Sequence, residues 1–157
     1  GELGFDACVS HLGADLAGAL AAACPDGIDI YYENVGGKTF EAVLPHLNKY
    51  ARITRCGLIS QYGTMDGRDP AGVWLETGQT VFEKQNCSVF PLAVGNFVAD
   101  HQDAFLAQMA GWLKDGKVKY LEDLRPGLEN TPKAFRAMLE GGNFGKTVVQ
   151  VSDDPTR

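Results

Sequence analysis

The chain has 157 residues, 45% hydrophobic and 22% charged, enough for a compact core and ordinary for a globular protein. A net charge of −6, with scattered lysines and arginines and no basic run, excludes a nucleic-acid footprint and an amphipathic membrane helix. No apolar stretch is long enough to span a bilayer, and no signal-peptide pattern is present.

The opening residues 1–6 read as the tail of a helix and a loop, as though the chain began within a domain. Ala7-Cys8-Val9 predicts a short strand. Leu12, Leu16 and Leu20 recur every fourth residue and predict a helix, stopped by Pro25-Asp26-Gly27. Ile28 to Glu33 is an apolar, β-branched and aromatic run, the composition of a buried strand. It closes on Glu33-Asn34, and Gly36-Gly37 turn the chain toward another helical pattern. Strand, polar tip, glycine turn and helix make the βα unit of an open parallel sheet, whose ligands bind outside the carboxyl ends of the strands.

Phe40, Val43, Leu44, Leu47 and Tyr50 predict a helix, with Pro45 as a kink or an early position. Ala51 to Cys56 predicts the next strand, which leaves through Gly57-Leu58-Ile59-Ser60-Gln61-Tyr62-Gly63. Thr64 to Gly72 reads as a loop, Val73 to Lys84 as a helix, and Cys87 to Val94, interrupted by Pro91, as an edge strand or a bulged one. Phe105, Met109, Trp112 and Leu113 mark an amphipathic helix, and Val118 to Leu121 a short strand. Asn130-Thr131-Pro132 starts a helix that Gly141-Gly142 ends, and Gly145 to Val151 closes as a strand.

Two strand ends therefore carry convergent polar groups, Glu33-Asn34 and Cys56 through Tyr62. In a parallel sheet both lie on one rim. Asn34 offers an amide, Gly57 a close approach to backbone, and Ser60 and Tyr62 hydroxyls. That set suits a nucleotide or nicotinamide better than a metal. Other chemistries lack their residues: there is no nucleophile elbow and no P-loop. His11, His46 and His101 share no ligand spacing. Cys8, Cys24, Cys56 and Cys87 form no CxxC pair, so no metal site is expected and a reducing, cytoplasmic setting is.

The segments Asn34-Val35-Gly36-Gly37, Cys56 to Tyr62, Leu128-Glu129-Asn130-Thr131-Pro132 and Gly142-Asn143-Phe144-Gly145-Lys146 follow one another as in a known family. The chain resembles the zinc-independent medium-chain dehydrogenase/reductases of the prostaglandin reductase and curcumin reductase type, from about Leu3 to Val151. The resemblance implies an α/β fold, a partial Rossmann doubly wound parallel sheet. Residues 1–115 would be the later part of an NADP-binding domain. Residues 116–157 would return to a catalytic domain that precedes it in the family. It implies NADPH-dependent reduction of the carbon–carbon double bond of α,β-unsaturated carbonyl compounds. The glycine-rich pyrophosphate turn of the family has no counterpart here, so the chain alone is expected to be inactive.

Residue by residue, the resemblance places Asn34 near the cofactor ribose and nicotinamide. Cys56, Gly57, Leu58, Ile59, Ser60 and Tyr62 would wrap the cofactor. Tyr62 is the catalytic candidate, through the ribose hydroxyl that helps stabilise an enolate. Leu92 and Val94 would line the nicotinamide pocket, Asn143 would reach the cofactor from the carboxyl-terminal segment, and His11 falls near an aromatic cofactor contact. The family pairs the strand at 87–94 across a dimer axis, which implies a homodimer. The competing reading is a non-enzymatic nucleotide-binding or assembly module built on half a Rossmann sheet.

Overall fold

A computed structural model describes residues 3–62 and 67–154. The chain forms two compact units, Gly1–Ala93 and Val94–Arg157. This division by compactness falls before the second unit's long helix. The expected assignment of residues 116–157 to a catalytic domain concerns descent rather than compactness.

The first unit holds a parallel sheet ordered β1-β2-β3, with β1 at Ile28–Glu33, β2 at Leu47–Arg55 and β3 at Ser88–Pro91. Three helices accompany it: α1 (Leu16–Ala23), α2 (Gly37–Val43) and α3 (Pro70–Gln85). Phe40, Val43, Leu47, Ala51, Ile53, Leu58, Trp74 and Phe82 build the core. Its centre is aromatic: Trp74 stacks on Phe40 at 4.6 Å between ring centroids and meets Phe82 at 5.4 Å.

Several elements differ from the sequence reading. The helix expected through Tyr50 ends at Val43 and tightens into a 3₁₀ turn, Leu44–His46. Pro45 has no N–H to continue an α-helix. The chain enters β2 at Leu47 instead, so Leu47 and Tyr50 are strand residues. Register shifts there, from Ile28 opposite Leu47 to Ile30 opposite Arg52. The extra β2 residues bulge out, and Tyr50 takes φ +66 and stands exposed.

Helix α1 begins only at Leu16, where the Asp15 carboxylate accepts from the Gly18 N–H at 2.8 Å. Leu12 thus lies outside it and is exposed, and Ala7–Val9 form no strand. Residues 70–72, expected in a loop, are the first turn of α3. Asp69 caps that turn, accepting from the Ala71 and Gly72 N–H groups. Pro70 sits at the first helical position, where a missing N–H costs nothing. Residues 67–69 of that expected loop hold no helix or strand, and its residues 64–66, with Gly63 before them, lie outside the described residues. Strand β3 is an edge strand, as expected, but it spans Ser88–Pro91 and ends at the proline instead of running on to Val94.

The second unit comprises α4 (Gly95–Lys114), β4 (Glu122–Pro126), α5 (Thr131–Leu139) and β5 (Lys146–Gln150), with β4 and β5 paired in parallel. The strand expected at Val118–Leu121 lies one step later. Lys146 N–H donates to the Leu121 carbonyl at 2.8 Å, and the ladder begins there. Asn130 precedes α5 without capping it. Its side chain donates back to the Pro126 carbonyl at 2.6 Å.

Candidate functional site

Because β1 and β2 run parallel, with Glu33 opposite Arg55, both strands end on one rim. Residues 34–36 lead from β1 into α2. Residues 56–62 leave β2 through a 3₁₀ turn at Ile59–Gln61. Backbone bonds lace the two loops together. The Cys56 and Gly57 N–H groups donate to the Glu33 carbonyl at 2.8 and 3.0 Å, and Ile59 N–H donates to the Asn34 carbonyl at 3.1 Å. Ser60 gives Val35 two bonds, from its N–H at 3.0 Å and its hydroxyl at 2.5 Å.

This lacing needs glycine. Gly36 has φ +73 and ψ −161, and a Cβ there would meet Leu58 Cδ2 at 3.1 Å. At Gly57 a Cβ would meet the Asn34 carbonyl oxygen at 3.3 Å. The close neighbour that Gly57 accommodates is thus the tip of β1 itself.

The strongest feature of the rim is one that the sequence reading treated only as a polar strand end. Glu33 is fully buried. One carboxylate oxygen, Oε1, accepts from the Val35 and Gly36 N–H groups at 2.6 and 2.9 Å. The other, Oε2, accepts from the Tyr31 hydroxyl at 2.9 Å and the Trp74 indole N–H at 3.0 Å. A buried carboxylate survives in a core only with such partners. Burial holds the Tyr31 hydroxyl well above its ordinary pKa, and the Glu33 charge and hydrogen bond push it the same way. The signal in the sequence was a glutamate inside an apolar run and a tryptophan whose N–H needs an acceptor.

Of the predicted residues, Asn34 is exposed at the tip of β1. Cys56, Ile59, Ser60 and Tyr62 are exposed on the neighbouring loop, with Leu58 buried beneath them. Asn34 and Cys56 through Tyr62 therefore share the expected rim. The Cys56 thiol hydrogen-bonds the Tyr32 hydroxyl and, ahead of burial and charge, raises the pKa of that tyrosine. Leu92 joins the same rim, its N–H donating to the Arg55 carbonyl at 2.9 Å. His11 is exposed in the turn ahead of α1, and the bonds that lace the rim do not involve it. Val94 and Asn143 belong to the second unit, where Asn143 donates to the Gly145 carbonyl at 2.8 Å.

Two clefts lie elsewhere. One of about 220 Å³ in the second unit is lined by Arg125, Asn130 and Lys133. Another, of about 390 Å³, is lined by Cys24–Gly27 and Pro45–Asn48, at the amino ends of β1 and β2. Neither includes a residue of the laced loops. Among the described residues, no three His, Cys, Asp or Glu side chains gather as a metal site. The glycine-turned rim presents the Asn34 amide and the Ser60 and Tyr62 hydroxyls, all exposed.

Comparison with known proteins identifies the family and the fold. Residues 3–149 match the family described as zinc-binding dehydrogenase. The NADPH-dependent curcumin reductase of Escherichia coli (strain K12) is 43% identical over 152 residues, spanning 97% of this chain and 44% of its own length. The 2-alkenal reductase (NADP(+)-dependent) of Nicotiana tabacum is 38% identical, spanning 96% of this chain and 42% of its own. The crystal structure of CurA in complex with NADPH from Vibrio vulnificus superposes with a TM-score of 0.80 at 44% identity, covering 96% of this chain and 44% of that one. The chain thus spans under half the length of these relatives. On the match across residues 3–149, it belongs to the zinc-binding dehydrogenase family.

Proposed function

We propose that this chain is the carboxyl-side part of an NADPH-dependent reductase of α,β-unsaturated carbonyl compounds, and that its laced rim holds the nicotinamide half of the cofactor. The observation that carries the reading is the joining of Asn34-Val35 to Ile59-Ser60 at the carboxyl ends of two parallel strands. Bound there, NADPH supplies a hydride for the β-carbon of the alkene.

The rim's own residues have distinct tasks in this reading. The Asn34 amide reads the polar edge of the nicotinamide ribose. The backbone from Gly57 to Ile59 lies along the ring, held by the close packing of Gly57 on the tip of β1. Tyr62 donates its hydroxyl on the side where charge collects on the carbonyl oxygen, and such charge needs a donor already in place. Leu92 closes the apolar side. Residues 116–157 belong with the catalytic domain of the whole enzyme, and the chain by itself does not turn over. We also propose self-association. Both outer strands of the three-stranded sheet are edges, and Ile30, Tyr32 and Phe90 stand exposed on it.

Three measurements test this. NADPH titrated into the isotope-labelled chain should shift amide resonances of residues 34–37 and 56–62. Shifts confined to the cleft of Arg125 and Lys133 would overturn the assignment. The chain mixed with NADPH and an enone should leave NADPH absorbance unchanged, and turnover would refute the claim of inactivity. In sedimentation velocity, a strict monomer at all concentrations would refute self-association.

A further inference from the structure

We infer that Glu33 is the positioning residue of the rim: one buried carboxylate sets the tip of β1, and through it the loop from Cys56 to Tyr62. The cofactor role of that rim rests on the function proposed above, but its geometry does not. Glu33 is the only charged side chain among the described residues that the core buries fully, at 0% exposure. Its four partners all donate, and two of them are backbone N–H groups of the tip itself.

The chain of attachment is short. Oε1 grips the N–H groups of Val35 and Gly36. The carbonyls of Asn34 and Val35 then present themselves to Ile59 and Ser60. The Glu33 carbonyl meanwhile holds Cys56 and Gly57. One residue thereby anchors both ends of the lacing, by its main chain on one side and its carboxylate on the other. Oε2 is tied back to Tyr31 and Trp74, so the carboxylate cannot swing with the loop. A binding loop held by fixed partners loses little freedom when a ligand arrives.

The test is amide hydrogen exchange on the whole chain. Glu33→Asp withdraws the carboxylate by one methylene and keeps its charge. Exchange at Val35, Gly36, Ile59 and Ser60 should quicken about tenfold or more, while β2 core amides such as Ile53 change far less. Trp74→Phe is the control. It touches the same carboxylate but leaves the Oε1 bonds and the Tyr31 tie on Oε2, so tip and core amides should move together. A uniform change in Glu33→Asp, or none at the four tip amides, overturns the inference. Wild-type chain supplies a second measurement should Glu33→Asp fail to fold. Val35 and Gly36 should exchange as slowly as core amides, and loop-like rates overturn the inference. NADPH-induced shifts are read separately. Their absence alongside localised exchange sinks the nucleotide reading and keeps the role of Glu33.

Discussion

Replacing Trp74 with phenylalanine removes the indole N–H from Glu33 while keeping an aromatic ring in the core. Trp74 is fully buried, donates to Oε2 at 3.0 Å, stacks on Phe40 and lies under the Arg55 guanidinium at 5.7 Å. A hydrogen bond to a charged acceptor contributes about 1.5–3 kcal/mol. Oε2 keeps its bond from Tyr31, so the lower end of that range applies. The smaller ring leaves a void costing about 1 kcal/mol, and the weaker cation–π contact costs a few tenths more. Trp74→Phe should therefore destabilise the chain by about 3 kcal/mol. Urea unfolding reads this as a lower midpoint at unchanged slope. Tyr31→Phe removes the other donor to the same oxygen. The double variant leaves Oε2 with neither and should cost about 1 kcal/mol more than the sum of the single changes. A cost below about 1 kcal/mol for Trp74→Phe, or strict additivity, would refute this account of the buried carboxylate.

Tyr31 predicts a pH dependence. Its folded pKa lies above the unfolded value of 10.0, so the unfolded chain loses that proton first. Stability from this group is intact below pH 10 and falls as pH rises above it, no more steeply than about 1.4 kcal/mol per pH unit. Tyr31 is only part-buried, so solvent screening lowers the figure further. Urea midpoints measured on either side of that pH should diverge in the wild type and far less in Tyr31→Phe. Gly36→Ala should cost about 1–3 kcal/mol, since φ +73 with ψ −161 is a glycine region and Leu58 crowds the new methyl. A thermal midpoint equal to wild type would contradict that. Gly78→Ala gains about 1 kcal/mol of helix propensity. Its Cβ, however, would collide with the Phe82 and Phe40 rings, and overpacking of about 1–3 kcal/mol makes the change net destabilising. A raised midpoint would show that the aromatic cluster has slack.

The parts of this chain that were legible in sequence are those whose cause is local. The run from Ile28 to Glu33, closed by Gly36-Gly37, names a strand, a turn and a rim without help from distant residues. The parallel pairing of β1 with β2 then follows from the short helical connection. Leu47 to Tyr50 misled because apolar residues spaced three and four apart fit a helix and a bulged strand equally. Pro45 was the stronger signal, since it removes a helical N–H whatever the pattern beyond it. Strand β4, with the sequence Glu-Asp-Leu-Arg-Pro, carries almost no strand pattern and exists by pairing with β5, more than twenty residues on.

Glu33 belongs to this second kind. The apolar run around it hints at burial, but the donor that completes its shell, Trp74, comes 41 residues later on α3. The same distance explains its importance to the site. A rim formed from glycine turns alone would be free to sample many shapes. Binding such a rim would cost the ligand the entropy of ordering it. A carboxylate tied to α3 on one side and to the N–H groups of Val35 and Gly36 on the other removes that freedom during folding. The residues proposed to touch a nucleotide, Asn34, Ser60 and Tyr62, can therefore stay exposed while the residue proposed to fix them lies buried beneath.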